Sequence, residues 1–166
     1  MFKLTAMAAG AAALLLAAQG SPARAALGPD AAACRGPGPA LLVNVDGFKA
    51  RTGRIRVNVY GSDPSKFLAR GQYVRQVNVP VTRAGAMPIC VSLPGAGRYA
   101  VAVRHDVDSD GNDWGDGGGF SRNPRLSLTN LRPNYNNVAI NVGRAVQPVN
   151  VVLNYRFGLT VRPVRG

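Results

Sequence analysis

Asp106-Val107-Asp108-Ser109-Asp110-Gly111-Asn112 has the spacing D-x-D-x-D-G, the first half of a calcium-binding loop. Alternate positions turn carboxylates toward a common centre, Gly111 permits the sharp turn, and the Asn112 carbonyl adds another oxygen. Hard Ca²⁺ prefers such oxygen donors. The second half departs from the motif, because the twelfth position from Asp106 is Gly117, where a helix-loop-helix calcium site carries a bidentate Glu. Asp113 or Asp116 must then close the set. No helical pattern flanks the loop, so the expectation is a calcium loop on a β scaffold, in the weak range of ~10⁻⁴ to 10⁻³ M typical of extracellular modules.

Five of the eight acidic residues lie between Asp106 and Asp116, in a chain whose net charge is +12. That concentration of carboxylates needs a positive partner. One reading is a bound cation. The other is pairing with Arg104, Arg122 and Arg125, which would leave a simple solvated loop; charges beyond ~8 Å are largely screened at physiological salt.

Catalytic chemistry finds little support. His105 is the only histidine, there is no Glu, and no Gly-x-Ser-x-Gly elbow is present. A lone His at a strand end is more often a structural hydrogen-bonding residue than a base. Asp106 and Asp113 as a glycosidase pair would sit in one loop, a poor way to fix their separation. No catalytic residue is assigned, and the expectation is that the protein is not an enzyme. Of Trp114, Phe120, Tyr135 and Tyr155, the candidates to line a sugar-binding or anionic surface, Phe120 and Tyr155 read as core. Trp114, set among Asp and Gly, reads as exposed and as the one ligand-contact residue. Asn130 to Asn137 is either a second functional loop or a connection.

The elements that must position this loop are short strands. Leu41 to Asp46, Arg54 to Tyr60, Tyr73 to Val81, Met87 to Leu93, Arg98 to His105, Val138 to Val142 and Val149 to Tyr155 are apolar or β-branched runs separated by turn residues. In Arg54 to Val59, Ile55, Val57 and Val59 alternate with Arg54, Arg56 and Asn58, which is one-sided burial and the mark of an antiparallel sheet. Arg98 to Val103 is apolar on both parities, with small Ala100 and Ala102 on one face, so it reads as a central strand with something packed close over its alanines. Asp63-Pro64 is the one plausible helix start, a cap with Pro at the first position, and Phe67 and Leu68 behind it should cover a sheet edge. The fold class is all-β: a single antiparallel β-sandwich of about seven strands, immunoglobulin-like or transthyretin-like.

Residues 1–25 read as a cleaved signal peptide, with Lys3, an apolar run from Leu4 to Ala18 and the small-x-small site Ala23-Arg24-Ala25. Residues 26–39 read as a flexible N-terminal arm and residues 40–166 as the sandwich domain. Localisation is then periplasmic or secreted, and no transmembrane segment is expected, the apolar run being shorter than the ~20 residues that span a bilayer. With Lys3 and Arg24 removed, 18 basic side chains stand against 8 acidic ones. That balance points to anionic partners, such as an envelope polysaccharide, with nucleic acid the less favoured reading. Cys34 and Cys90, the only cysteines, read as one disulfide in an oxidising compartment. A lipoprotein reading of Cys34 is disfavoured by the polar stretch from Gln19 to Asp30 that separates it from the apolar run.

Several of these residues also carry a resemblance. Phe67-Leu68 ahead of a Gly, Leu93-Pro94, Gly97 to Val103, His105-Asp106, and Gly119-Phe120-Ser121 with Asn123-Pro124 together resemble the bacterial domain of unknown function DUF2141, over roughly Leu41 to Tyr155. The resemblance implies an exported, small β-sandwich without an assigned activity. The family's loop has His-Asp, then Asn and Gly, then a later Asp; here the loop is richer in Asp and Trp114 stands near that later position. The functional expectation is an exported, non-enzymatic β-sandwich module, stabilised by Ca²⁺ and binding an anionic or carbohydrate envelope partner. The alternatives are a structural or assembly domain without ligand and, less favoured, a secreted hydrolase using the aspartates.

Overall fold

The computed structural model describes residues 25–111 and 114–164. The expected leader therefore lies outside the described residues except for Ala25, and so do two residues of the acidic loop, Asn112 and Asp113.

The described residues form ten strands: β1 (Ala40–Asp46), β2 (Arg54–Tyr60), β3 (Arg75–Pro80), β4 (Met87–Ser92), β5 (Gly97–Asp106), β6 (Gly117–Phe120), β7 (Ile140–Val142), β8 (Val146–Val152), β9 (Asn154–Phe157) and β10 (Thr160–Pro163). They make two sheets. The smaller runs β4-β1-β8; the larger runs β10-β9-β6-β5-β2-β3, with β7 pairing the start of β5. The sheets face each other over one apolar core, in which Leu41, Val43 and Val45 of β1 meet Ile55, Val57 and Val59 of β2 and Val101 and Val103 of β5. The all-β sandwich expected from the alternation is what forms, with β5 central in the larger sheet.

Three features of the sheets depart from the sequence reading. The β1–β8 pair is parallel, so the smaller sheet is mixed rather than purely antiparallel. The run Val149 to Tyr155 is two strands, one in each sheet; Val149, Val151, Leu153 and Tyr155 keep facing the core as the chain crosses, so periodicity alone cannot reveal the crossing. Finally, Gly117–Phe120 is a strand although glycine disfavours strands. A Cβ at Gly117 would stand 2.4 Å from the Tyr155 ring, and one at Gly119 would stand 2.7 Å from Val151 Cγ1. The strand is glycine because the core approaches it that closely.

The other face of β5 is covered as its alanines require. Tyr60, Ala100, Phe120, Leu126, Tyr135 and Val138 form a second cluster, with half-buried Phe67 and Leu68 packed on it. The covering segment includes the single-turn helix α1 (Tyr135–Val138) and is pinned by Ser121, whose hydroxyl accepts from Val101 N at 3.0 Å and donates to the Val138 carbonyl at 2.6 Å. Asp63 caps the 3₁₀ turn Pro64–Lys66 by accepting from Ser65 N.

The segment read as a flexible arm is tied down. Leu27 bridges to β4, which would otherwise be an open sheet edge: its N–H donates to the Pro88 carbonyl at 2.7 Å, and its carbonyl accepts from Cys90 N at 3.0 Å. Asp30, 8% exposed, accepts from Arg75 Nε at 2.8 Å and from Ser92 N and Oγ, each at 2.9 Å. The disulfide Cys34–Cys90 completes the attachment. Among the described residues, no helix is long and apolar enough to cross a membrane.

Candidate functional site

β5 delivers the acidic loop. Its alternation sends Val103 and His105 to the core and Arg104 and Asp106 to the outer face of the larger sheet. His105 is fully buried, with Nε2 2.8 Å from the Thr52 carbonyl and Nδ1 2.6 Å from the Tyr155 hydroxyl. A carbonyl only accepts, so Nε2 donates to it, and in the neutral ring Nδ1 accepts from Tyr155. Burial pushes the Tyr155 hydroxyl up to about 12, which keeps it a donor. Both ring nitrogens are thus engaged in holding the strand end. The Thr52-Gly53 turn closes over the same point: Thr52 Oγ1 donates to the Val107 carbonyl at 2.9 Å, and Gly53, at φ +73°, lies so close that a Cβ would fall 1.9 Å from the Asp106 carbonyl oxygen.

Just beyond, three carboxylates converge. Asp106, Asp108 and Asp116 each offer an oxygen, and these oxygens lie within 4.8 Å of one another. Two oxygens bound to one Ca²⁺ at ~2.4 Å stand at most ~4.8 Å apart, so these three carboxylates could hold a cation, with a small contraction. Asp106 is 7% exposed, and its Oδ1 has no hydrogen-bond partner among the described residues. A buried carboxylate oxygen without a donor is costly, and buried polar atoms are normally satisfied.

Asp116 is held differently. Its Oδ1 accepts from Val107 N at 3.2 Å, and its Oδ2 accepts from Arg104, through Nε at 3.1 Å and through Nη2. Arg104 also donates to the Gly111 carbonyl. The rival partner expected for the aspartates is therefore present in Arg104, whereas Arg122 donates to the Asn136 carbonyl instead. Asp110 is exposed and stands outside the group of three, with its N–H directed at Asp108 Oδ1 at 3.4 Å. Asn112 and Asp113 lie outside the described residues. Cys34 and Cys90 are far from this chemistry in role, serving the N-terminal attachment.

Trp114 is 67% exposed, and the Arg156 guanidinium stacks 4.5 Å from its ring centroid. Together they stand at the mouth of a groove of about 480 Å³ on the outer face of the larger sheet. Leu68, Phe120, Leu126 and Leu131 line it, and Arg56, Arg104 and Arg132 join Arg156 in giving it positive charge. Sequence reasoning missed this groove. The outward parity of Arg56 and Asn58 was its signal, but only the strand order shows that Arg104 and Arg156 share their surface.

The family model described as an uncharacterized protein conserved in bacteria, DUF2141, matches residues 43–150. The matched span runs from β1 into β8 and includes the whole acidic loop. No curated protein and no solved structure matches the chain.

Proposed function

The chain belongs to the DUF2141 family of uncharacterized bacterial proteins, and we propose that it is an exported, non-enzymatic β-sandwich module whose acidic loop is ordered by Ca²⁺ and whose Arg- and Trp114-bearing face binds an anionic or carbohydrate component of the cell envelope. Export is supported by the disulfide, which forms and persists in oxidising compartments. The non-enzymatic reading is supported by His105, whose two nitrogens are spent on the scaffold.

The observation that carries the calcium reading is the buried, unpartnered Asp106 Oδ1 in a cluster with Asp108 and Asp116. A divalent cation supplies the missing partner and offsets the repulsion of three adjacent carboxylates. Asp106, Asp108 and Asp116 are the side-chain ligands in this reading, with Asn112 and Asp113 available from the rest of the loop. Isothermal titration of the mature, oxidised protein with CaCl₂ tests it. One site near ~10⁻⁴ M is expected, absent in Asp106→Asn; no binding, or unchanged binding in the variant, contradicts it.

One observation favours a second reading. The Arg104–Asp116 pair already closes the loop with a cation from the chain itself. In that case the module is a structural or assembly domain, and the loop is indifferent to chelators.

A further inference from the structure

The groove beside the loop has a chemistry of its own. On neighbouring strands, Arg56 and Arg104 are direct cross-strand partners, and both belong to the outward parity of the sheet. Like charges placed opposite one another destabilise a sheet. Arg104 is relieved by Asp116, the one acid among the described residues that line the groove. Arg56 has only a neutral acceptor, Asn78 Oδ1 at 3.2 Å, and Arg132 and Arg156 donate to the carbonyls of Leu68 and Gly158. Among the described residues none of these three is in an ion pair with a carboxylate. Among its described residues the groove therefore presents guanidinium donors in excess, with its acid, Asp116, already engaged.

Its walls set aliphatic and aromatic side chains, Leu68, Phe120, Leu126 and Leu131 among them, beside these arginines and Asn58 and Asn154. Leu131 is 41% exposed at the rim, and Gly118 leaves the floor bare, since a Cβ there would meet nothing nearer than the Val103 carbonyl at 3.8 Å. A sugar needs acceptors as well as donors for its hydroxyls and an aromatic face to stack on; among the described residues of this lining donors outnumber acceptors, and Trp114 is the one exposed aromatic ring. A volume of about 480 Å³ falls in the range of ~300 to 1,000 Å³ typical of small-molecule sites, and a concave shape suits a single small molecule better than a bilayer surface.

We propose that the groove binds a free, single-chain amphiphilic carboxylate, with its head group between Arg56 and Arg104 and its chain along Leu68, Leu126 and Leu131. A carboxylate there gives Arg56 the charged acceptor that Asp116 already gives Arg104, and the tail buries exposed apolar wall. The inference deepens the partner half of the function proposed above and does not depend on the calcium half.

Trp114 is the chain's only tryptophan and reports on the groove directly. Decanoate, kept below its micellar concentration, is titrated into the mature protein while Trp fluorescence is followed, once in chelator and once in calcium. Acetate supplies the charge without the tail, and octyl glucoside supplies a tail without the charge. A saturable change with decanoate alone, in either condition, is expected. Arg56→Gln should weaken it about tenfold, and Gly118→Leu, which fills the groove without touching the core, should abolish it while the melting temperature is kept. The inference is overturned if decanoate gives no saturable response in both conditions, if octyl glucoside or acetate matches it, or if well-folded Gly118→Leu binds like the parent. Loss of calcium binding with decanoate binding retained would defeat the loop reading alone.

Discussion

Arg104 on β5 and Asp116 just ahead of β6 form an ion pair across the base of the acidic loop, with the Arg104 side chain 24% and the Asp116 side chain 7% exposed. The same guanidinium reaches the Gly111 carbonyl. One arginine thus gathers both ends of the loop, and it shares its carboxylate with the cluster in which a cation would sit. In the calcium reading, arginine and cation compete for Asp116.

That competition has a measurable consequence. Arg104→Gln removes a charged hydrogen-bond network from a largely buried acid and should destabilise the protein in chelator by about 2 kcal/mol. It should also raise calcium affinity severalfold, because Asp116 is released and a nearby positive charge is gone. Urea midpoints in chelator and a calcium titration of the same variant check both halves; a variant that loses calcium affinity would show that Arg104 builds the site rather than competing for it.

The N-terminal attachment makes stability sensitive to acid. Arg75 first, and the Ser92 N–H and hydroxyl with it, hold the Asp30 carboxyl below its ordinary value of 3.8, burial opposing them. A carboxyl with a lowered folded value contributes stability that is fully present above the unfolded value, and loses it as pH falls through the folded one. The contribution should therefore be intact at pH 7 and fade below about pH 4. Asp30→Asn should lose about 2 kcal/mol at pH 7 and show a flatter acid limb in urea unfolding between pH 5 and pH 2. An unchanged acid limb would mean that the carboxylate contributes nothing through its charge.

The disulfide Cys34–Cys90 spans a sequence separation of 56. By the chain-entropy estimate, closing such a loop adds about 4 kcal/mol, a figure that native strain and residual unfolded structure usually reduce. Cys34→Ser with Cys90→Ser should lower stability by up to that amount and expose the segment from Leu27 to Pro39 to protease first. Equal protease resistance would show that Leu27 and Asp30 alone suffice to hold it.

Much of this arrangement is legible in the residues themselves, and the rest is hidden for identifiable reasons. Ile55, Val57 and Val59 announce their strand by alternation, and Ala100 and Ala102 announce that something packs close on β5; both inferences need only local pattern. Gly117 and Gly119 give no strand signal, because what makes them strand residues is the Tyr155 ring and Val151 pressing on them from elsewhere in the chain. The crossing at Leu153 is invisible for the converse reason, since the same parity faces the core on both sides of it. Leu27 and Asp30 lie in a stretch without periodicity, and their anchoring depends on the edge of β4 and on Arg75. In the acidic loop, the spacing groups Asp106, Asp108 and Asp110, whereas the chain's return along β6 brings Asp116 to the first two and leaves Asp110 outside. The groove depends on the neighbour relation of β2 and β5, which no single stretch encodes.

The most direct measurement is the melting temperature of the mature, oxidised protein in millimolar Ca²⁺, in millimolar Mg²⁺ and in chelator, with Asp106→Asn alongside. A site of ~10⁻⁴ M that exists only in the folded state adds about 1.4 kcal/mol at millimolar calcium, a rise of roughly 4 °C for a domain of this size. A rise of that order with Ca²⁺, little with Mg²⁺ and none in Asp106→Asn is the expected result. Identical melting in calcium and chelator would contradict the calcium reading and leave the loop to Arg104 and Asp116.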